Sequence, residues 1–171
     1  DEVPEGHQAK FGCGKCAEQY LRHAEMSEQE LRCHRCCFTG HRPEKLKRAE
    51  TVIKKGLEEA ILKAVSDGYT TFITGMARNV DIWAGQIVLR LRQDNPDLRL
   101  IAALPYPDCD SRWSASWRKQ YAEVLEAADL VKAISPKYSM ASFQKRDEWM
   151  VDRASRKDAM LYLGLIALTR S

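Results

Sequence analysis

After Cys36 the sequence alternates short apolar runs that close on glycine or proline with longer segments whose apolar residues recur every three or four positions. That alternation is the pattern of strands and helices wound into a parallel sheet. Arg35–Thr39 is the first run and leads into Gly40. Glu50–Ser66 follows, with Ile53, Leu57, Ile61, Ala64 and Val65 along one face at helical spacing, and Asp67-Gly68 stops it. Thr70–Thr74 is rich in β-branched and aromatic residues and ends at Gly75. Asp81–Gln93 reads as helix through Trp83, Ile87 and Leu91, and Asn95-Pro96-Asp97 breaks it. Leu98–Leu104 is apolar enough to be a strand buried on both faces, before Pro105 and Pro107. Ser114–Ala128 then predicts a helix with an apolar stripe of Trp117, Tyr121, Val124 and Leu125 flanked by Trp113. Leu130–Ile134 predicts a strand, Phe143–Ala154 a helix, and Met160–Leu168 a last strand. The expected class is α/β, an open and mostly parallel sheet covered by helices.

Residues 1–32 differ in texture: they are polar and poorly periodic, apart from a helix-compatible stretch over Ala17–Leu31. They read as an N-terminal extension to one domain spanning 33–171. A chain of 171 residues is long enough for one sizeable core and too short for two. The formal charge of +3, from 27 basic and 24 acidic residues, lacks the basic footprint of a nucleic-acid binder. No apolar run is long enough to span a bilayer. The N-terminus has neither the basic flank nor the apolar stretch of a secretory signal, so the six cysteines point to a reducing compartment, the cytoplasm. The first residue is Asp1 rather than an initiator methionine, as expected of a processed, trimmed or partial chain.

In an open parallel sheet, ligands bind beyond the carboxyl ends of the strands. Four loops qualify: Gly40–Leu46, Gly75–Val80, Pro105–Trp113 and Ser135–Ser142. In the first, Thr39-Gly40-His41-Arg42-Pro43 combines a glycine turn with two side chains suited to phosphate or carboxylate. In the second, Gly75-Met76-Ala77-Arg78-Asn79-Val80-Asp81 opens a helix, so its amides can face an anion. It is not a Walker loop, because no lysine and hydroxyl residue follow the glycine. Asp81 is equally suited to the helix's first turn, and Asn79 to a left-handed backbone position.

The cysteines suggest a separate site. Cys13-Gly14-Lys15-Cys16 and Cys33-His34-Arg35-Cys36 are CxxC pairs sixteen residues apart, a spacing compatible with one four-thiolate zinc ion. Cys36 also opens the first strand, so strand and metal compete for it. Cys37 reads as a buried strand residue and Cys109 as a loop thiol.

Several segments taken in order, Thr39-Gly40-His41-Arg42-Pro43, then Phe72-Ile73-Thr74-Gly75-Met76-Ala77 with Asp81, then Tyr138 and Arg146 leading into Trp149-Met150-Val151-Asp152, closely resemble the YpsA-like proteins. These belong to the SLOG superfamily, together with the DprA and LOG proteins. The resemblance covers about residues 36–155. It implies a Rossmann-like sheet with helices on both faces and a pocket for a nucleotide or an ADP-ribose-like derivative, serving a sensor or adaptor with a protein partner. It places Thr39, Gly40, His41 and Arg42 on one wall of that pocket and Gly75, Met76 and Asp81 on another. Arg146 and Asp152 are later contributors, while Trp149 and Met150 read as core.

Departures from the family pattern bear on catalysis. Asn79 stands where glycine is usual, Gln86 where a helix acid is common, and Asp147 where asparagine follows the arginine. A Gly-Gly-Thr segment is expected after the last strand, whereas this sequence closes on Tyr162-Leu163-Gly164-Leu165-Ile166-Ala167-Leu168-Thr169-Arg170-Ser171. A naturally short C-terminus and a truncated gene both remain open, as does a start at Met26. In LOG-type relatives that segment and a following glutamate accompany cleavage of a nucleotide's glycosidic bond. Without them no catalytic residue is assigned, and binding is preferred over LOG-like hydrolysis and over DprA-like single-stranded DNA handling. His41 is then a binding donor rather than a base.

Overall fold

The computed structural model describes residues 26–40, 49–161 and 164–169. The chain divides into two units, Asp1–Leu31 and Arg32–Ser171. The described residues begin with a short helix, α1 (Glu28–Cys33), whose Ser27 N–H and hydroxyl both donate to Glu30. They continue as β1 (Arg35–Gly40), α2 (Glu50–Ser66), β2 (Thr71–Thr74), α3 (Val80–Leu91), β3 (Arg99–Leu104), α4 (Ala115–Ala127), β4 (Leu130–Ala133), α5 (Met140–Arg153), β5 (Arg156–Leu161) and β6 (Gly164–Thr169).

The strands form one sheet in the order β4-β3-β2-β1-β5-β6. β1 to β5 run parallel, and β6 returns antiparallel beside β5. Strand order moves one way from β1 to β4 and then jumps back past β1 to β5. Crossovers of one hand therefore deposit α2, α3 and α4 on one face and α5 on the other.

The side-chain alternation of the strands matches this division. Cys36, Phe38, Phe72, Leu100, Ala102 and Leu104 pack with Ile53, Leu57, Ile61, Ile82, Val88 and Val124 from the three helices of the larger face. Cys37, Ile73, Ile101 and Ala103 point the opposite way, against Met150 of α5 and Ala154 just after it, with Trp149 packed alongside. Successive residues of one strand thus feed two cores, which is why these strands read as continuous apolar runs. Cys37 is buried in its strand as expected, and Cys109 lies in the loop after β3.

Two elements differ from the reading of the sequence. The single last strand expected within 160–168 is a pair, β5 and β6, joined antiparallel with Met160 opposite Leu165. An unbroken apolar run carries no periodic mark where the chain reverses. Helix α5 begins three residues before the expected Phe143, because Ser139, in extended conformation, starts it. Ser142 is fully buried there, bonded to the Ser139 N–H and hydroxyl and to the Lys137 carbonyl. The stop at Asp67-Gly68 is as expected, Gly68 taking φ +96°.

Candidate functional site at the carboxyl ends of the strands

The end of β2 is tied to the start of α3 by Thr74, which is fully buried. Its hydroxyl donates to the carbonyl of Asp81 at 2.7 Å and accepts the N–H of Met76 at 3.3 Å. Between these anchors the backbone makes two unusual turns. Met76 has φ 57° and Asn79 φ 70° with ψ −113°. The Asn79 conformation is that of the first central residue of a type II′ turn, where glycine has no steric cost and an L side chain does. Asn79 is nonetheless buried there and precedes the first helical residue, Val80.

Asp81 lies in the first turn of α3, not at its cap, and its Oδ2 accepts the Ala77 N–H at 3.3 Å. From the opposite face of the sheet Arg146 of α5 reaches the same loop, where its Nη1 donates to the Gly75 carbonyl at 2.6 Å. The other guanidinium nitrogens turn to Asp147, with Nε 3.0 Å and Nη2 2.9 Å from one carboxylate oxygen. The Arg146 side chain is 10% exposed and that of Asp147 54%, so a buried cation holds a partner at the surface.

Gly75 is where the two buried charges converge. A Cβ at this position would fall 2.8 Å from Asp81 Oδ2, closer than Cβ atoms approach a neighbour, and 3.1 Å from Arg146 Nε and Cζ, tighter than most such contacts. Glycine is required here for close approach. Burial pushes the Asp81 carboxyl up to about 6, against the opposing pull of Arg146 and the Ala77 N–H, and Asp147 adds to the rise. A carboxyl poised near neutrality beside a strained loop is an arrangement that clusters at functional sites.

The next loops along the sheet supply aromatic rings. Tyr106 follows β3, Tyr138 follows β4 and Phe143 lies in the first turn of α5. Their centroids are 5.5 Å apart for Tyr106 and Tyr138, 6.0 Å for Tyr106 and Phe143, and 6.5 Å for Tyr138 and Phe143, all near edge-on. Arg146 Cζ lies 5.9 Å from the Phe143 centroid. Deeper in the loop after β3, Cys109 Sγ is 3.3 Å from the Tyr121 hydroxyl, and burial raises the pKa of both groups.

Of the residues expected at the site, Gly75, Met76, Asp81 and Arg146 are brought together. Thr39 and Gly40 form the end of β1, at the same edge of the parallel sheet. His41 and Arg42 lie outside the described residues. Asp152 is exposed on the last turn of α5. Six residues beyond Arg146, it sits roughly 120° away around the helix.

Of the four cysteines expected to bind metal, Cys33 is exposed at the end of α1 and Cys36 is fully buried in β1. Cys13 and Cys16 lie outside the described residues. Among the described residues no cluster of three metal-ligating side chains occurs, and no helix is long and apolar enough to cross a membrane.

Thr74 and Phe143 take part in this site without having been singled out for it from the sequence, while Asn79 and Asp147 were noted only for their backbone position or as departures from the family pattern. For Thr74 the available signal was a hydroxyl residue directly before the loop glycine. For Asn79 it was the departure from a usual glycine.

Comparison with known proteins identifies the family. The model of the YpsA family, described as the YspA SLOG family, matches residues 36–163. The UPF0398 protein BH1768 of Halalkalibacterium halodurans is 32% identical over 118 residues, covering 68% of this chain and 61% of that protein. A UPF0398 protein of Bacillus licheniformis is 25% identical over 133 residues, covering 73% of this chain and 71% of its own length. One from Bacillus cereus strain B4264 is 30% identical over 111 residues, 64% of this chain and 59% of the relative. The chain thus spans about three fifths of the length of the first of these curated relatives. With a matching family model over most of its length and an α/β sheet of the corresponding type, the chain belongs to the YpsA family of SLOG proteins.

Proposed function

We propose that this domain binds a nucleotide or nucleotide derivative such as ADP-ribose at the carboxyl ends of β1 and β2, as a sensor or adaptor in the cytoplasm. The observation that carries the reading is the Gly75–Val80 loop. It combines two positive-φ residues, a glycine with no room for a side chain, and two buried charged groups, at the start of a twelve-residue helix. Each of those features costs stability, and a plain surface connection needs none of them. They make sense as a rigid frame at the amino end of α3, the helix end that favours an anion.

In this reading Asp81 and Arg146 are positioning residues. Asp81 is turned to the Ala77 N–H, and Arg146 to the Gly75 carbonyl. Neither is a catalyst. Thr39, Gly40, His41 and Arg42 supply the facing wall on the strength of the sequence pattern, and Asp152 a more distant contact. A zinc ion on Cys13, Cys16, Cys33 and Cys36 is a separate proposal. It is supported by spacing alone and requires Cys36 to leave the core face of β1.

The test is a thermal-shift panel of nucleotides, ADP-ribose and cyclic nucleotides, run with and without chelator. A ligand at 100 times its Kd adds about 2.7 kcal/mol to the folded state. Arg42→Ala is expected to abolish the shift. Absence of any shift across the panel rejects the binding reading. Free base released during incubation would instead favour glycosidic hydrolysis, and single-strand binding with a steep salt slope would favour DNA handling.

A further inference from the structure

We propose that Tyr138, backed by Tyr106 and Phe143, is a stacking face for the planar base of the ligand. This inference rests on the nucleotide reading above and adds to it where the base lies. The three rings come from two stretches of chain, the loop after β3 and the passage from β4 into α5, and meet where β3 and β4 end. A cluster of this kind ordinarily closes over a core. Here Tyr138 is left 58% exposed, and neighbouring Met140 83% exposed. The Tyr138 hydroxyl is occupied at the Met140 sulfur, 3.3 Å away. Tyr106 and Phe143, both half-buried, meet the Tyr138 ring at steep angles, and more than half of Tyr138 stays exposed to a planar group.

The same arginine joins this face to the anion end of the site. Arg146 stands one turn beyond Phe143, with Cζ 5.9 Å from that ring and Nη1 2.6 Å from the Gly75 carbonyl. A base on Tyr138 and a phosphate before α3 are therefore linked through one buried side chain. A ring that stacks any flat base contributes affinity without reading its edge, so the face selects for a nucleobase over a bare sugar phosphate, and only weakly among bases.

The experiment is a calorimetric titration of the whole chain with ADP-ribose and with ribose 5-phosphate, for the native protein, Tyr138→Ala and Tyr138→Phe. Tyr138 is exposed, so neither variant threatens the fold, and circular dichroism checks that. Tyr138→Ala is expected to weaken ADP-ribose roughly ten- to hundredfold and to leave ribose 5-phosphate unchanged, with Tyr138→Phe restoring the affinity. If the native protein binds ADP-ribose and Tyr138→Ala binds it equally well, or loses both probes alike, the stacking face is wrong and the nucleotide reading stands. If the native protein binds neither probe, the stacking face is overturned, and the nucleotide reading falls with it only when the wider thermal-shift panel also gives no shift.

Discussion

Gly75 is the residue on which most of the site depends, because Asp81 and Arg146 approach it from opposite faces of the sheet. Gly75→Ala must displace one of those buried groups. We expect a loss of about 1–3 kcal/mol in urea unfolding, together with loss of the ligand-induced thermal shift. A variant as stable as the native chain would show that the loop has slack.

Asp81 makes a pH-dependent contribution whose sign follows from its environment. Its carboxyl, raised from 3.8 to about 6 by burial, holds its proton more tightly in the folded chain than in the unfolded one. The stabilisation is therefore complete below about pH 4 and is lost as pH rises through about 6. Asp81→Asn removes that loss. The stability of the variant relative to the native chain should rise between pH 4 and 7, by on the order of 3 kcal/mol at most. A difference that stays constant with pH would contradict the raised carboxyl.

Loop and helix together explain why some of the site was visible in the sequence and some was not. The helix bounds came out within a few residues because apolar spacing, Ser114 and Asp67-Gly68 act locally. Gly75, Met76 and Asp81 were legible because a glycine after a strand, with an acid near a helix start, is a local pattern too. The contacts that give them meaning are not local. Arg146 lies 71 residues from the carbonyl it bonds, and nothing near it signals that partner. The strain at Asn79 belongs to the same class, since asparagine tolerates several turn conformations and the sequence alone does not say which. Because its φ and ψ suit glycine, Asn79→Gly is expected to stabilise the domain by about 1 kcal/mol, read as a higher urea midpoint at constant slope. A lower midpoint would mean that the buried asparagine side chain contributes more than its backbone costs.

At the level of the whole domain, the reversal of strand order between β4 and β5 sets the site's composition. It sends α5 to the face opposite α2, α3 and α4, so Arg146 and Phe143 arrive from one side and Asp81 from the other. The sheet class was readable from alternation alone. The β5–β6 reversal was not, because an all-apolar run looks the same with or without a turn in it.

The central claim is that the Gly75–Asp81 segment receives the ligand, and amide hydrogen exchange with and without ADP-ribose tests it at that resolution. Binding at 100 times Kd predicts that amides from Met76 to Ile82 slow by up to about a hundredfold, more than those at the carboxyl end of α2, toward the amino ends of the strands. Stabilisation of the protein with no slowing in this segment would place the ligand elsewhere and contradict the account.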